Sequence, residues 1–321
     1  MEGSSGRLMK AMKKAMKAMK APMKAKAKPM KQAMKAMKAK PKKRATPTKK
    51  AQAKKAKAPK SWEPEVVGGT PMPNWADHCV KLLANGFFGF RERTANAGEV
   101  QLSIWADCGG MGTELTALRQ LSGSVMKLTN QKLTISNFCF CDNKPMCLHF
   151  AKVNHQPKHT SKDIFDRDFQ KNTFHCATCE ADHQFPAQTD IYVCCFPCGP
   201  WSMNGARMGF SDRDGMIVWQ AAKTINKLMP GMWYMENVMG LSSSKTNVAS
   251  ESDLKVITDT LAQRMPLYHI MCLQQMDPTH LGFPIHRSRV VILGIQKQFA
   301  TPESMAHNFQ VLMNHPMPHV R

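Results

Sequence analysis

The chain has 321 residues, with 45 Lys and Arg against 23 Asp and Glu, a formal net charge of +22. Residues 1–60 hold 20 Lys, Arg7, Arg44 and a single acid, Glu2, so this segment alone carries +21 and the other 261 residues are close to neutral. No run approaches about 18 consecutive apolar residues, so no membrane-spanning helix is expected, and a near-neutral stretch of this length is enough to bury a sizeable core.

In chain order, the first element is a tail. Residues 9–40 repeat Met-Lys-Ala units, and the first 60 residues contain one Leu and no Val, Ile, Phe, Tyr or Trp. Such a segment cannot bury enough apolar surface to offset its ordering entropy, and its like charges repel, so it is expected to be disordered when free. Lysines at this density fit a phosphate backbone, bound through counterion release without sequence readout. A merely solubilising extension is the bland alternative. The segment has no aromatic or Leu anchors for a membrane surface, and its spacing of lysines is unlike a secretory signal. Lys40-Pro41-Lys42-Lys43-Arg44 reads as a nuclear-import address. Eleven Cys in such a chain point to a reducing compartment. The expected location is the nucleus.

Residues 61–100 read as a linker followed by a short helix from Asn74 to about Leu83. From 101 onward β-like runs alternate with helical stretches. The runs are 101–106, 133–140, 190–195, 232–236, 267–273 and 289–295, and the clearest helices are 112–121, 215–228 and 253–265. This pattern predicts one α/β domain over 101–321, built on a mostly parallel, doubly wound sheet. Ligands of such sheets lie across the C-terminal strand ends, so the loops that follow strands are the candidate site.

Five places stand out there. Asp107-Cys108-Gly109-Gly110-Met111-Gly112 follows the first strand; its glycines either let a ligand approach the backbone or simply make a tight turn. Cys141-Asp142 ends the second strand, where an acid accepts ribose hydroxyls or caps a solvated turn. Phe196-Pro197-Cys198-Gly199-Pro200 follows the 190–195 strand and holds a thiol between two prolines, a stiff and exposed place that suits a nucleophile. Glu236-Asn237-Val238 ends the next strand. Arg287 and Arg289 precede the last one, spaced to point the same way if the backbone is extended.

Taken together and in this order, these residues resemble the C5 cytosine-specific DNA methyltransferases over about residues 101–295. DCGGMG looks like the family's S-adenosylmethionine loop, which implies cofactor contacts at Cys108, Gly109, Gly110 and Gly112. Asp142 looks like the ribose-binding acid. Asn154-His155 with Lys162-Asp163-Ile164 is similar to the segment that ends near the adenine, placing Asp163 and Ile164 in the cofactor set with Pro197. FPCGPWS resembles the nucleophile loop, residues 204–215 the loop that closes over the target base, MENVMGL the Glu-Asn-Val motif and HLGFPIHRSRVVILGI the Gln-x-Arg-x-Arg motif. The resemblance implies a Rossmann-like, S-adenosylmethionine-dependent fold and methylation of cytosine C5 in DNA. Cys198 would attack C6, Glu236 would hold N3 and the 4-amino group, and Arg287 and Arg289 would orient the base or a phosphate. A tRNA cytosine is the variant substrate within the family, and a non-catalytic nucleic-acid-binding protein is the alternative from another class.

The sequence departs from the family pattern at named places. Asp107 stands where the cofactor loop usually has an aromatic residue, Gly199 replaces the Gln of the nucleophile loop, and Ile285 replaces that of the arginine motif. No stretch up to Arg321 matches the family's target-recognition region or its last motif, which leads to the expectation that the chain is a truncated product, that a second chain supplies them, or that the protein is inactive. Finally, His175, Cys176, Cys179 and His183 have zinc-like spacing. Because all four are local in sequence, they are read as ordinary loop residues, and no metal is assigned.

Overall fold

The computed structural model describes residues 75–84, 99–244, 246, 251–281 and 284–314, all within one compact unit that spans 71–321. The expected basic tail and most of the linker lie outside the described residues. The short helix is present as α1 (Trp75–Ala84).

The predicted runs become strands β1 (Glu99–Asp107), β2 (Lys132–Cys141), β7 (Ile191–Cys194), β8 (Met232–Val238), β9 (Tyr268–Met276) and β10 (Arg289–Gln296). A short β3 (His159–Ser161) completes a seven-stranded sheet in the order β3-β2-β1-β7-β8-β10-β9. The β3, β2, β1, β7 and β8 pairings are parallel, whereas β10 runs antiparallel to both of its neighbours. The sheet is therefore mostly parallel, with an antiparallel strand inserted near one edge.

Side-chain alternation along the strands divides the core between two faces. Ile104, Ala106, Ile191 and Val193 meet Leu115 of α2 (Thr113–Thr129) and Leu148 and Ala151 of α3 (Pro145–Asn154). Trp105, Tyr192, Cys194, Trp233 and Met235 face the other way. They pack on Val218, Ala221, Ile225 and Leu228 of α4 (Ile217–Leu228) and, across a short turn of helix α5 (Gly240–Ser243), on Leu254, Ile257 and Leu261 of α6 (Asp253–Arg264). This is the doubly wound arrangement, with helices on both faces. A last helix, α7 (Pro302–Asn314), follows β10.

Between β3 and β7 the chain forms a three-stranded antiparallel lobe, β4 (Arg167–Asp168), β5 (Thr173–Cys176) and β6 (Ala181–Gln184). Its strands are only two to four residues long and lack a long apolar run, so the sequence pattern does not announce them. The lobe is tied to β3 by the Ala177 N–H donating to the Thr160 carbonyl at 2.7 Å and by the Thr160–Thr178 hydroxyl pair at 2.8 Å. Burial would push the Cys176 thiol up, but backbone N–H groups of Cys179, Thr160 and Thr178 outweigh it and hold that thiol below its ordinary range.

At its root the lobe carries a buried ion pair. The Arg167 guanidinium donates to both carboxylate oxygens of Asp107, at 2.6 Å to Oδ2, and to the Thr224 hydroxyl of α4 at 2.7 Å. Asp107 also accepts from the Tyr192 hydroxyl at 2.6 Å and the Trp105 indole at 2.9 Å. Both side chains of the pair are fully buried, and the guanidinium lies 5.2 Å from the Trp105 ring centre. Burial opposes the charge on Arg167, yet the Asp107 carboxylate more than offsets it, so the guanidinium holds its proton above its ordinary range. Burial and then the Asp107 charge push the Tyr192 hydroxyl up.

Removing one member of a buried pair leaves an uncompensated charge, which typically costs about 3–5 kcal/mol. Arg167→Met is therefore expected to lower unfolding stability by about that amount in urea titration, and Asp107→Leu in the same background should restore part of it. A loss under about 1 kcal/mol for Arg167→Met would contradict this account.

Candidate active site

Four of the parallel strands carry a residue at or near the C-terminal end on the same level of the sheet. The register places Cys141 beside Asp107, Asp107 beside Cys194 and Cys194 beside Met235. The next residues along each strand, Asp142, Cys108, Cys195 and Glu236, thus follow adjacent ends and open onto one cleft.

The glycine loop is shaped by close approaches. A Cβ on Gly109 would meet the Phe140 ring at 2.4 Å, and one on Gly112 would meet the His155 ring at 2.5 Å. His155 is buried, and its Nε2 lies 3.0 Å from the Met111 carbonyl. Gly110 has a φ of +55° and open space beyond it. Its N–H donates to Asp142 Oδ2 at 2.9 Å, while Asp142 Oδ1 accepts from the Lys144 N–H at 2.9 Å. Asp142 therefore ties the second strand end to the loop. A hydrogen bond to Cys194 and then burial push the Cys108 thiol well up.

Asp163 caps a 3₁₀ turn by accepting the Phe165 N–H at 2.9 Å, and Ile164 is buried beneath it. The second Asp163 oxygen accepts from Arg213 at 2.5 Å. Arg213 belongs to the 204–215 stretch, and its guanidinium also lies 4.6 Å from the Phe165 ring centre. The Asp163 turn is thereby linked to the loop that follows Cys198.

Cys198 is exposed. Its neighbours among the cleft thiols are withdrawn: burial pushes Cys195 up to about 12, and Cys194 is fully buried and raised by that burial. The loop that carries Cys198 is fixed at several points. The Cys198 carbonyl accepts from the Trp201 N–H at 2.9 Å and the Ser202 N–H at 2.8 Å. The Trp201 indole is buried and donates to Asp253 at 3.0 Å. Asn237, buried in β8, donates its amide to the Phe196 carbonyl at 2.9 Å and the Pro197 carbonyl at 3.5 Å. Asn237 is thus the clamp that sets the Cys198 loop against the strand bearing Glu236. The motif that contains it is legible in the sequence, but its role needs the fold.

Glu236 accepts from Arg289 Nε at 2.6 Å, an ion pair partly open to the cleft. Arg289 also donates to the Ser288 carbonyl at 2.9 Å. Arg287 does not share this arrangement: it precedes β10, is exposed, and its backbone N–H donates to Asp277 at 3.0 Å. Arg289 opens β10 and pairs with Glu236, whereas Arg287 lies on the turn that leads into the strand. Asp277, which sequence reasoning did not single out, organises this turn by accepting also from the Ser288 hydroxyl at 2.7 Å and the Thr279 hydroxyl at 2.7 Å. The Ser288 bond first, and the Thr279 bonds after it, hold the Asp277 carboxyl far below its usual range.

Glu114, in the first turn of α2, was also missed. Its Oε1 is buried with no hydrogen-bond partner, and burial, with the Asp142 charge beside it, pushes the carboxyl up to about 7. An acid two residues past a glycine loop is a common helix N-terminal feature, and nothing in its sequence context singles it out.

This fold, with a glycine loop after the first strand, an acid after the second and a thiol loop after the fourth strand of the parallel set, defines a Rossmann-like protein of the S-adenosylmethionine-dependent methyltransferase class. A family model described as C-5 cytosine-specific DNA methylase matches residues 123–318, more than half of the chain, and the chain belongs to that family. The match begins after the glycine loop. Among similar proteins, the type II methyltransferase M.HpaII of Haemophilus parainfluenzae is 29% identical over 125 residues, which are 37% of this chain and 34% of that protein. M.BsuFI of Bacillus subtilis is 31% identical over 113 residues, 35% of this chain and 26% of that protein. The chain thus spans about a quarter to a third of the length of these relatives. Of solved structures, the Entamoeba histolytica methyltransferase EhMeth is 13% identical with a TM-score of 0.42, over 63% of this chain and 54% of that one.

The raised Glu114 value carries a pH prediction. Folding favours the protonated form, so the stability tied to this carboxyl is complete below about pH 4.5 and is lost as pH rises through about 7. Glu114→Gln should flatten the stability profile across that window and leave the variant about 1–3 kcal/mol more stable than the parent at pH 8. An unchanged slope between pH 4.5 and 7 in denaturant titrations would contradict this assignment.

Proposed function

We propose that the protein methylates cytosine C5 in DNA, using S-adenosylmethionine and Cys198 as a covalent nucleophile. The observation that carries this reading is the clamp at the strand ends. An exposed thiol loop is fastened through Asn237 to the strand whose Glu236 is paired with Arg289.

Two features fit the cofactor. Gly110 leaves open space beside a backbone held by Asp142, and the partnerless, buried Glu114 oxygen suits the ammonium of a methionine moiety. In this reading the 108–112 backbone, Glu114, Asp142 and the Asp163–Ile164 turn hold S-adenosylmethionine, which supplies an electrophilic methyl group when bound. Cytosine C5 is a weak nucleophile on its own. The Cys198 thiolate adds to C6, the new C–S bond taking the place of the C5–C6 double bond and turning C5 into an enamine-like carbon. Glu236, oriented by Arg289, holds the N3 and 4-amino edge, where charge changes during attack. Once C5 is substituted, its proton departs and the C–S bond breaks, returning the electron pair to Cys198. The base must leave the duplex to reach this loop, which costs a few kcal/mol of unstacking that pocket contacts recover.

Arg287, exposed on the turn organised by Asp277, is placed for a phosphate or the base edge rather than for Glu236. The basic segment 1–60 supplies sequence-independent affinity for the DNA backbone, and its Lys40–Arg44 run directs the protein to the nucleus.

The test is covalent trapping on duplex DNA carrying 5-fluorocytosine, with and without S-adenosylmethionine. Fluorine at C5 cannot leave as a proton does, so the reaction stalls as a protein–DNA adduct. A cofactor-dependent adduct that survives denaturing electrophoresis and disappears in Cys198→Ala is expected. An adduct formed on tRNA alone would move the substrate, and no adduct on either nucleic acid would contradict a catalytic role.

A further inference from the structure

The lobe between β3 and β7 brings together four donors that the cleft does not use. His159 of β3, Cys176 of β5, Cys179 of the following turn and His183 of β6 each offer one donor atom, and these atoms all lie within 4.8 Å of one another. We propose that they form a structural Zn²⁺ site that pins the lobe to the edge of the central sheet.

The fold explains why this set converges. In the β5–β6 hairpin, Phe174 pairs with His183, His175 with Asp182 and Cys176 with Ala181. Alternation then puts Cys176 and His183 on one face of the hairpin and His175 on the other. His175 points outward and bonds Asp182 at 2.9 Å. The ligand missing from the local run is His159, supplied by the neighbouring sheet strand. Three ligands from one hairpin and a fourth from a separate strand make a closed tetrahedral set of the Cys₂His₂ kind.

The geometry suits a small ion. Zinc–sulfur bonds of about 2.3 Å and zinc–nitrogen bonds of about 2.0–2.1 Å give tetrahedral donor separations of roughly 3.3–3.8 Å. Cys179 Sγ and His183 Nε2 are 2.8 Å apart, and the His159 and His183 rings are 4.2 Å apart, so small rotamer adjustments reach that tetrahedron. The Phe138 and Phe174 rings pack on His159 with centres 5.2 and 5.5 Å away, and the His159 Nδ1 is buried without a hydrogen-bond partner. On binding, the two thiols release their protons to solvent and the imidazoles stay neutral, so two thiolates balance the ion's charge and the half-buried site is neutral.

The role follows from what the lobe lacks. Its strands are too short to hold themselves in place by pairing, and strands of this length need a further support. Zinc would fasten the tip of the hairpin to β3, while the Arg167–Asp107 pair fastens its root.

The experiment uses the full chain, purified in reducing buffer without chelator. About one zinc per chain by plasma mass spectrometry is expected, with tetrahedral cobalt–thiolate bands when Co²⁺ replaces it. Cys179→Ser and His183→Ala should each lose most of the metal, whereas His175→Ala and Cys272→Ser should keep it. Chelation should lower the thermal midpoint by about 5–10 °C. If a variant fails to fold, Co²⁺ titration into chelated wild-type protein still decides the matter. Substoichiometric zinc with no cobalt–thiolate band, or loss of zinc in His175→Ala but not in His183→Ala, would overturn the proposal.

Discussion

A charge buried at the end of β1 sets the position of everything that follows. Asp107 is the last residue of β1 and immediately precedes the glycine loop. Its carboxylate is gripped by partners from four elements: Arg167 of the lobe, Tyr192 of β7, Trp105 of β1 and, through Arg167, Thr224 of α4. An unpaired carboxylate in this apolar layer would be untenable. The pair therefore constrains the sheet, the lobe and a helix to meet at one point, one residue before the chain turns into the cleft.

That constraint gives Asp107 a physical meaning. An Asp buried in this layer is costly by itself, but here it is paired with a buried Arg from the lobe. The lobe is consequently part of the support of the glycine loop and not a surface ornament. On the other side of the cleft a different device operates: Asn237 and the Trp201–Asp253 bond hold the Cys198 loop from beneath, leaving the thiol itself exposed. Rigid support below and an open reacting group above is what a preorganised nucleophile requires.

Much of the sheet was legible because its strands are apolar and rich in branched and aromatic residues; QLSIWA, DIYVCC and MWYME announce themselves, and their ends point to the glycine loop, Cys198 and Glu236. The antiparallel insertion of β10 was not legible, because hydrophobic pattern does not encode strand direction. The lobe was hidden by the brevity of its strands. Glu114 and Asp277 were hidden for another reason: their importance lies in burial and in the count of hydrogen bonds they accept, and an isolated acid in a sequence reveals neither. The pairing of Arg289, but not Arg287, with Glu236 likewise depends on where the strand starts, a boundary of one or two residues.

Carbon methylation of cytosine at this cleft, as proposed, leaves a product that can be counted. The full chain is incubated with duplex DNA and S-adenosylmethionine, the DNA is digested to nucleosides, and 5-methyldeoxycytidine is quantified by mass spectrometry for the parent and for Glu236→Gln. A time-dependent rise in 5-methyldeoxycytidine is expected with the parent, and a rise at least about a hundredfold slower with the variant, on the scale of a lost general acid–base group. Parent protein that binds S-adenosylmethionine and DNA yet forms no 5-methyldeoxycytidine would contradict the proposed reaction.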